Sequence, residues 1–236
     1  MVDINAFPYL GFVRFDLVNK EFDAGFNRYF NDHIQELSDK PGYSTSWRTR
    51  ELRGRETDSG RDYFSAGLME QEYQQIYAIS KPEVFQSFPA NPPPPVNERE
   101  PWRRDMSNWG RVFYRVLSHV EKDPRGGRYW ARCDYNFTGT LEAVKTFKAD
   151  CAAHLRRVLE LPGIHRAWQL EHAATPAQIA GDPTGQYMLL YEIDAPENLY
   201  EIAALLRDPE RFAALIKSDI AKYGKVIKAV GIKLED

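Results

Sequence analysis

The stretch FNRYFNDHIQELSDKPGYSTSW, residues 26–47, returns later in the chain as FKADCAAHLRRVLELPGIHRAW, residues 147–168. At a constant offset of 121 residues, a Phe, a His, a Pro-Gly pair and a Trp coincide in the two stretches. A second set coincides at an offset of 114 and pairs Tyr73, Tyr77, Ile79, Pro82, Glu83 and Gly110 with Tyr187, Tyr191, Ile193, Pro196, Glu197 and Gly224. Two matched halves in one chain predict one folded unit that is duplicated.

Each half reads as the same series of elements. The first predicts strands at 8–18, 42–52, 71–80 and 110–120, with a helix over 22–38 and a second helix start at 81–83. The second predicts strands at 128–137, 164–173, 186–194 and 225–234, with helices over 140–161 and 197–223. The order β-α-β-β-α-β is that of the ferredoxin-like unit, an antiparallel sheet with both helices on one face. We therefore predict an α+β fold with halves at 6–122 and 127–236.

The His residues of the two predicted first helices stand at matched places. His33 is followed eight residues later by Pro41-Gly42, and His154 by Pro162-Gly163, with aromatic residues before each His. This pattern resembles the EthD-like and related families of the dimeric α+β barrel superfamily. The resemblance covers nearly the whole chain. It implies two ferredoxin-like units packed sheet to sheet as a fused pseudo-dimer, which would exist as a monomer or a homodimer.

Composition narrows the range of partners and compartments. The net charge of −3 gives no electrostatic case for nucleic acid, and no apolar run is long enough for a membrane span. The N-terminal residues lack the basic and apolar regions of a secretory signal. Cys133 and Cys151 have no metal-ligand spacing and read as reduced, buried thiols. These features predict a cytoplasmic protein without a structural metal site.

The two halves differ at two segments. Residues 53–67 form a longer, charged connection in the first half, which is either a lid over a pocket or a solvated hairpin loop. Residues 88–102 contain four consecutive prolines where the second half has helix-forming sequence. Prolines cannot lie inside a helix, so this segment predicts an extended strap that replaces part of the second helix. It either opens an entrance to a pocket or packs on the surface.

His33 and His154 are the strongest candidates for acid–base chemistry. Each lies seven residues after a core Phe, on the face of the helix that meets the sheet. An imidazole there can act as a general acid or base, ligate haem iron, or fix the helix by bonding a strand carbonyl. Tyr77 and Tyr191 share a place in the third strand of their halves, where a hydroxyl can orient a substrate oxygen or serve packing.

Other strand residues are candidates for binding a substrate. Arg132 and Asp134 alternate with apolar residues along one strand, so they share a polar face and can pair there, in a cavity or as a structural salt bridge. The corresponding face of the first half is predicted to be nearly apolar, with Gly11 and Val13. The second strands add four further candidates: Trp47, Glu51, Trp168 and His172.

The resemblance implies an enzyme that acts without an organic cofactor on a small aromatic or polyketide-like compound. Its chemistry would be proton transfer, in a lyase, isomerase, cyclase or dehydratase, or a cofactor-free oxygenation. In that case His154 or His33 is the base or acid, Tyr191 or Tyr77 orients the substrate, and the polar strand residues bind it. Two alternatives stay open: a haem protein with a helix His as axial ligand, and a non-catalytic binding or assembly module.

Overall fold

The computed structural model describes residues 6–19, 21, 24–29, 39–50, 72–85, 106–123, 126–136, 140–173 and 186–206. Its strands are β1 (Tyr9–Leu17), β2 (Tyr43–Arg50), β3 (Tyr73–Ile79), β4 (Met106–Glu121), β5 (Tyr129–Tyr135), β6 (Ile164–His172) and β7 (Tyr187–Ile193). Helix α1 is described over residues 24–29, α2 spans Leu141–Val158 and α3 spans Asn198–Leu206. A short 3-10 helix spans Pro82–Phe85.

The chain divides into two compact units. The first takes the described residues of Met1–Glu51, Met69–Val116 and Glu171–Thr184, and the second takes those of Leu52–Leu68, Leu117–Leu170 and Gly185–Asp236. Strand β4 contributes residues to both units. The boundaries predicted from the repeat, 6–122 and 127–236, stay a prediction.

The strand order of the first unit is ferredoxin-like. Its strands run β2-β3-β1-β4, and every pairing recorded among them is antiparallel. In the second unit β6, β7 and β5 follow the same order, with β7 between the other two, and β5 pairs antiparallel with β7. The predicted strand at 225–234 lies outside the described residues. The α+β class with ferredoxin-like units is thus confirmed by the order of the strands.

The register of the strands shows which positions of the two units correspond. Gly11 lies opposite Tyr77 in the first unit, and Ala131 lies opposite Tyr191 in the second. The face that carries Arg132 therefore corresponds to the face of β1 with Phe12, since side chains alternate along a strand. The prediction that it corresponds to the face with Gly11 and Val13 is wrong by one residue.

Matching aromatic clusters pack under the helices of the two units. In the first unit, Phe15 stacks on Tyr73 at 5.7 Å between ring centroids, and both rings meet Phe26 at steep angles. In the second unit, Tyr135 stacks on Tyr187 at 5.6 Å, and both meet Phe147 in the same way. These clusters lie in the hydrophobic core between the sheet and the helix of each unit. They bury the apolar residues that recur about every 3.6 residues along α2, as the sequence predicts.

The turns that follow the first helices also match. Gly42 and Gly163 have positive φ angles of 93° and 72°. The carbonyl of Gly42 accepts from the N–H of Ser80 at 2.9 Å, and that of Gly163 accepts from the N–H of Asp194 at 2.8 Å. Glycine is the residue that adopts this backbone conformation at no steric cost. The Pro-Gly pairs quoted above therefore fix the start of the next strand in both units.

Candidate functional site

Helix α2 positions His154 against the sheet of the second unit. The helix begins at an N-cap, Thr140, whose side chain accepts a hydrogen bond from the N–H of Ala143 at 3.2 Å. Its buried residues are Phe147, Cys151, His154, Leu155 and Val158. Because these recur every three or four residues, they form one stripe that faces the sheet. His154 lies on that stripe and is 5% exposed.

Tyr191 meets His154 from strand β7. Every residue of β7 is buried, and Tyr191 is 1% exposed. The His154 Nε2 and the Tyr191 hydroxyl lie 3.0 Å apart, which is hydrogen-bonding distance. The two rings are nearly perpendicular, at 88°, with centroids 6.1 Å apart. The structure thus brings together two of the residues that the sequence selects for catalysis, one from the helix and one from the sheet.

Burial decides the protonation of both groups. Burial, together with the smaller effect of the positive charge of Arg157, lowers the pKa of His154 to about 4. It raises the pKa of Tyr191 well above its ordinary value, with smaller contributions from Cys133 and Cys151. At neutral pH the imidazole is therefore neutral and the phenol keeps its proton. The tyrosine can donate the hydrogen bond and the imidazole can accept it.

The lowered pKa of His154 predicts a loss of stability in acid. The unfolded chain binds a proton on this residue near pH 6.5, whereas the folded chain binds it near pH 4. The free energy of unfolding should fall by about 2–3 kcal/mol as the pH drops from 6.5 to 4. Denaturant unfolding at several pH values, with His154→Gln beside the wild type, isolates this contribution. Parallel pH profiles of the two proteins would contradict it.

Cys151 and Tyr135 add a second polar contact between α2 and the sheet. The Tyr135 hydroxyl lies 3.8 Å from the Sγ of Cys151, a weak hydrogen-bond contact. Burial raises the pKa of both thiols, Cys133 and Cys151, to about 12, so both stay protonated. By register, the first unit has Val13 and Phe15 where the second has Cys133 and Tyr135. The helix layer of the second unit therefore carries functional groups at two places where the first unit is apolar.

Tyr77 occupies the equivalent place in the first unit. It is buried, and its hydroxyl bonds to the side-chain carbonyl of Gln75. Burial, followed by the nearby Tyr29 and Tyr43, raises the pKa of Tyr77 well above its ordinary value. His33, which the sequence places across from this strand, lies outside the described residues. The part of Tyr77 in catalysis stays a prediction.

The substrate-binding candidates of the second unit lie on the other face of the sheet. Arg132 and Asp134 form an ion pair, with the Arg Nε 2.7 Å from the carboxylate. Arg132 lies opposite Leu190 on β7, the residue before Tyr191, so the two side chains point to opposite faces. Trp168 stacks on Trp130, which is two residues from Arg132 on β5, at 5.1 Å. These residues share a face with one another and not with the His154–Tyr191 pair.

The remaining candidates belong to the first unit. Trp47 is half-buried on β2, in register with Ile76 of β3. His172 meets the ring of Tyr114 edge-on, with centroids 5.6 Å apart. Glu51, the connection at 53–67 and the proline strap at 88–102 lie outside the described residues. Their predicted parts in binding stay predictions.

Buried charges that the sequence analysis did not select lie on the Trp168 face of the second unit. Arg166 pairs with Glu192 at 3.0 Å and lies 3.6 Å from Glu121. His119 stacks on Trp168 at 5.0 Å, and burial lowers the pKa of this imidazole. The sequence contains one indication of these charges. Glu192 is the only charged residue in the strand YMLLYEI, whose other residues are uncharged.

Haem ligation can be tested against the residues around His154. An axial ligand needs a nitrogen that points into open space, but the Nε2 of this imidazole bonds the Tyr191 hydroxyl inside a packed layer. His154 as it stands does not fit an axial ligand. Within the described ranges no three His, Cys, Asp or Glu side chains group as metal ligands, and no helix there is long and apolar enough to cross a membrane.

Comparison with known proteins gives the fold. A protein of Fusobacterium nucleatum subsp. nucleatum ATCC 25586, assigned as a monooxygenase, superposes with a TM-score of 0.52 at 10% identity, over 92% of this chain and 87% of that one. An anthrone oxidase-like protein gives 0.46 at 10% identity, over 95% and 87%. A chlorite dismutase of Candidatus Nitrospira defluvii gives 0.48 at 12%, over 87% and 84%.

No protein-family model and no curated protein sequence matches the chain. The first of the three structures lies above a TM-score of 0.5 and, at its low identity, shows the fold alone. Together with the strand order of each unit, it gives this chain an α+β fold with ferredoxin-like units.

Proposed function

We propose that this chain is an enzyme that transfers protons without an organic cofactor, and that its second unit carries the reaction. The observation that carries this proposal is the buried hydrogen bond between His154 and Tyr191. A substrate bound between the two groups would replace this hydrogen bond, and the Nε2 electron pair of the neutral imidazole could then take a proton from the substrate. The phenol, no longer bonded to Nε2, could donate its hydrogen bond to the substrate oxygen on which negative charge develops.

The surroundings of the pair support an aromatic substrate. Apolar and aromatic side chains fill the layer between α2 and the sheet, including the stacked rings of Tyr135 and Tyr187 and the edge of Phe147. A substrate that enters this layer would have to be flat and apolar, with few polar atoms. The substrate class is therefore a small phenol, quinone or aromatic ketone, and the reaction is an isomerisation, cyclisation, dehydration, lyase cleavage or cofactor-free oxygenation.

The difference between the units supports the second as the active one. Both have a buried Tyr in the central strand, and in the second unit the His154 imidazole bonds it. Cys133 and Tyr135 add polar groups where the first unit has Val13 and Phe15. Arg132, Asp134 and Trp168 lie on the opposite face, so in this proposal they do not contact the same small substrate.

The test uses a readout that does not depend on the later steps of the reaction. A panel of phenols, hydroxyquinones and anthrone-type ketones is incubated with the full chain in D₂O, and deuterium uptake at acidic C–H positions is followed by mass spectrometry. We expect His154→Gln to slow the exchange about 100-fold, and Tyr191→Phe to slow it about 10-fold or more, because each removes one partner in the proton transfer.

Tyr43→Phe is the matched control. It removes a buried phenol hydroxyl of the first unit, which bonds the carbonyl of Val84 at 3.4 Å, and should leave the exchange unchanged. Exchange that survives in both His154→Gln and Tyr191→Phe would overturn the assignment of the pair. Exchange lost in Tyr77→Phe instead would move the reaction to the first unit.

A further inference from the structure

Gln169, on β6, is a buried polar residue that the proposed reaction does not use. It is 1% exposed, and its Nε2 has no hydrogen-bond partner within the described part of the chain. The other glutamines buried there, Gln74 and Gln75, both have partners, which are the hydroxyls of Thr49 and Tyr77. Buried polar groups are normally bonded, so the side chain of Gln169 is an exception that needs a physical cause.

Alternation along β6 directs the Gln169 side chain to the layer that holds His154 and Tyr191. Ala167 packs in the hydrophobic core between α2 and the sheet, and Trp168 lies on the opposite face of the sheet. Since side chains alternate along a strand, Gln169 shares the face of Ala167. The Gln169 amide therefore lies on the side of the sheet that α2 covers.

Two contacts fix the register of β6 with β7. The carbonyl of Gly163, just before β6, accepts from the N–H of Asp194, just after β7, so these neighbouring strands are antiparallel. The ion pair of Arg166 with Glu192, at 3.0 Å, lies one step further along both strands and places these two residues opposite each other. The corresponding positions of β2 and β3 in the first unit pair in the same register.

This register brings Gln169 close to the pair formed by His154 and Tyr191. Gln169 lies opposite Leu189, and Ala167 lies opposite Tyr191. Gln169 and Tyr191 are therefore diagonal neighbours on one face of the sheet, about 7–8 Å apart between their Cα atoms, a separation that long side chains bridge. The other two corners of this square, Leu189 and Ala167, are apolar and belong to the core. A small molecule bonded to the Tyr191 hydroxyl is thus within reach of the Gln169 amide.

We infer that Gln169 binds a second oxygen of the substrate, so that the substrate is an aromatic compound with two oxygen substituents. The inference rests on the function proposed above, in which Tyr191 bonds the first oxygen. An amide nitrogen carries two N–H donors, and a buried donor without an acceptor is unfavourable until an acceptor binds to it. A site built to form a hydrogen bond also rejects an analogue that lacks the bonding group, because the donor then stays unpaired. Gln169 thus selects for the second oxygen.

Thermal unfolding of the ligand-free full chain tests whether the amide lacks a partner. Methionine has nearly the volume of glutamine but no N–H group, so Gln169→Met removes the unpaired donor and keeps the packing. We expect the midpoint of unfolding to rise by about 2–4 °C. Gln74→Met is the matched control, because Gln74 donates to Thr49 and accepts from the Arg14 Nε at 3.1 Å. Its midpoint should fall, since the change breaks both bonds.

Equilibrium dialysis with two probes tests what the amide binds. Naphthoresorcinol carries two hydroxyl groups on a naphthalene ring, and alpha-naphthol carries only one. We expect the wild type to bind naphthoresorcinol about 10-fold more tightly than alpha-naphthol, which is the effect of one buried hydrogen bond. Gln169→Met should remove this preference by weakening the binding of naphthoresorcinol alone. The preference of the wild type can be measured even if no variant folds.

The inference and the proposed function fail on different results. A midpoint that stays or falls in both Gln169→Met and Gln169→Leu overturns the inference, because a buried water or another part of the chain then bonds the amide. So does a wild type without preference for naphthoresorcinol, or a preference that persists in Gln169→Met, and neither result affects the pair of His154 and Tyr191. Loss of the preference in Gln169→Met, with no deuterium exchange by the wild type, supports the inference and contradicts the proposed proton transfer.

Discussion

Phe147→Ala is expected to lower the free energy of unfolding by about 3–5 kcal/mol, the range found for large aromatic truncations in packed cores. Phe147 is 5% exposed and meets Tyr135 at 5.1 Å and Tyr187 at 5.8 Å between ring centroids. Its removal leaves a cavity under α2 and takes away two edge-to-face contacts. Denaturant unfolding of the full chain, followed by far-UV circular dichroism, measures the loss.

The control for this change lies on the same helix. Leu141 is 84% exposed at the start of α2, and Leu141→Ala should change the free energy of unfolding by less than about 0.5 kcal/mol. Phe26→Ala, the equivalent change in the first unit, should cost as much as Phe147→Ala because Phe26 is fully buried against Phe15 and Tyr73. A small effect of Phe147→Ala would contradict the packing of α2 on the sheet.

Arg166→Met is expected to cost about 3–5 kcal/mol at neutral pH, because it leaves the buried carboxyls of Glu121 and Glu192 without their positive partner. Methionine keeps most of the apolar volume of the Arg stem, so the loss reports charge rather than a cavity. The cost should shrink as the pH falls, because burial raises the pKa of Glu192 and this carboxyl then becomes neutral. Unfolding curves of wild type and variant at pH 7 and pH 5 measure both effects.

Arg115→Met provides the matched comparison. Arg115 pairs with Glu171, but its side chain is 53% exposed. An exposed ion pair contributes at most about 1 kcal/mol, so this variant should be close to the wild type. If Arg166→Met were equally mild, Arg166, Glu121 and Glu192 would not form the buried charge cluster that the structure shows.

Much of the fold could be predicted because the chain repeats its own pattern. The described strands β2-β3-β1 and β6-β7-β5 lie in the same order, and the predicted strand at 164–173 and helix at 140–161 match β6 and α2 closely. Periodicity is a local property, so it can be read from the sequence. The prediction for the face of β1 that corresponds to Arg132 was wrong by one residue. The offset between β1 and β5 is 120 residues rather than 121, and this offset is visible only in the pairing of β1 with β3 and of β5 with β7.

The site was predictable only in part. His154 and Tyr191 each stand at a repeated position, and Arg132 and Asp134 alternate on one strand, so both pairs follow from local patterns. The buried charge cluster of Glu121, Arg166 and Glu192 draws its members from β4, β6 and β7. Its assembly depends on the register between strands that are far apart in the sequence. Sequence periodicity carries no information on that register, which is why these residues were not selected.

Gly126, which precedes β5, limits how this sequence can evolve. Gly126 has a positive φ of 73°, and a Cβ at this position would collide with the carboxylate of Glu192 and the guanidinium of Arg166. The backbone therefore closes directly over the ion pair. A descendant of this protein can replace Gly126 only if it also gives up or shortens one of the charged partners. We expect the glycine and the two charges to be inherited, or lost, together.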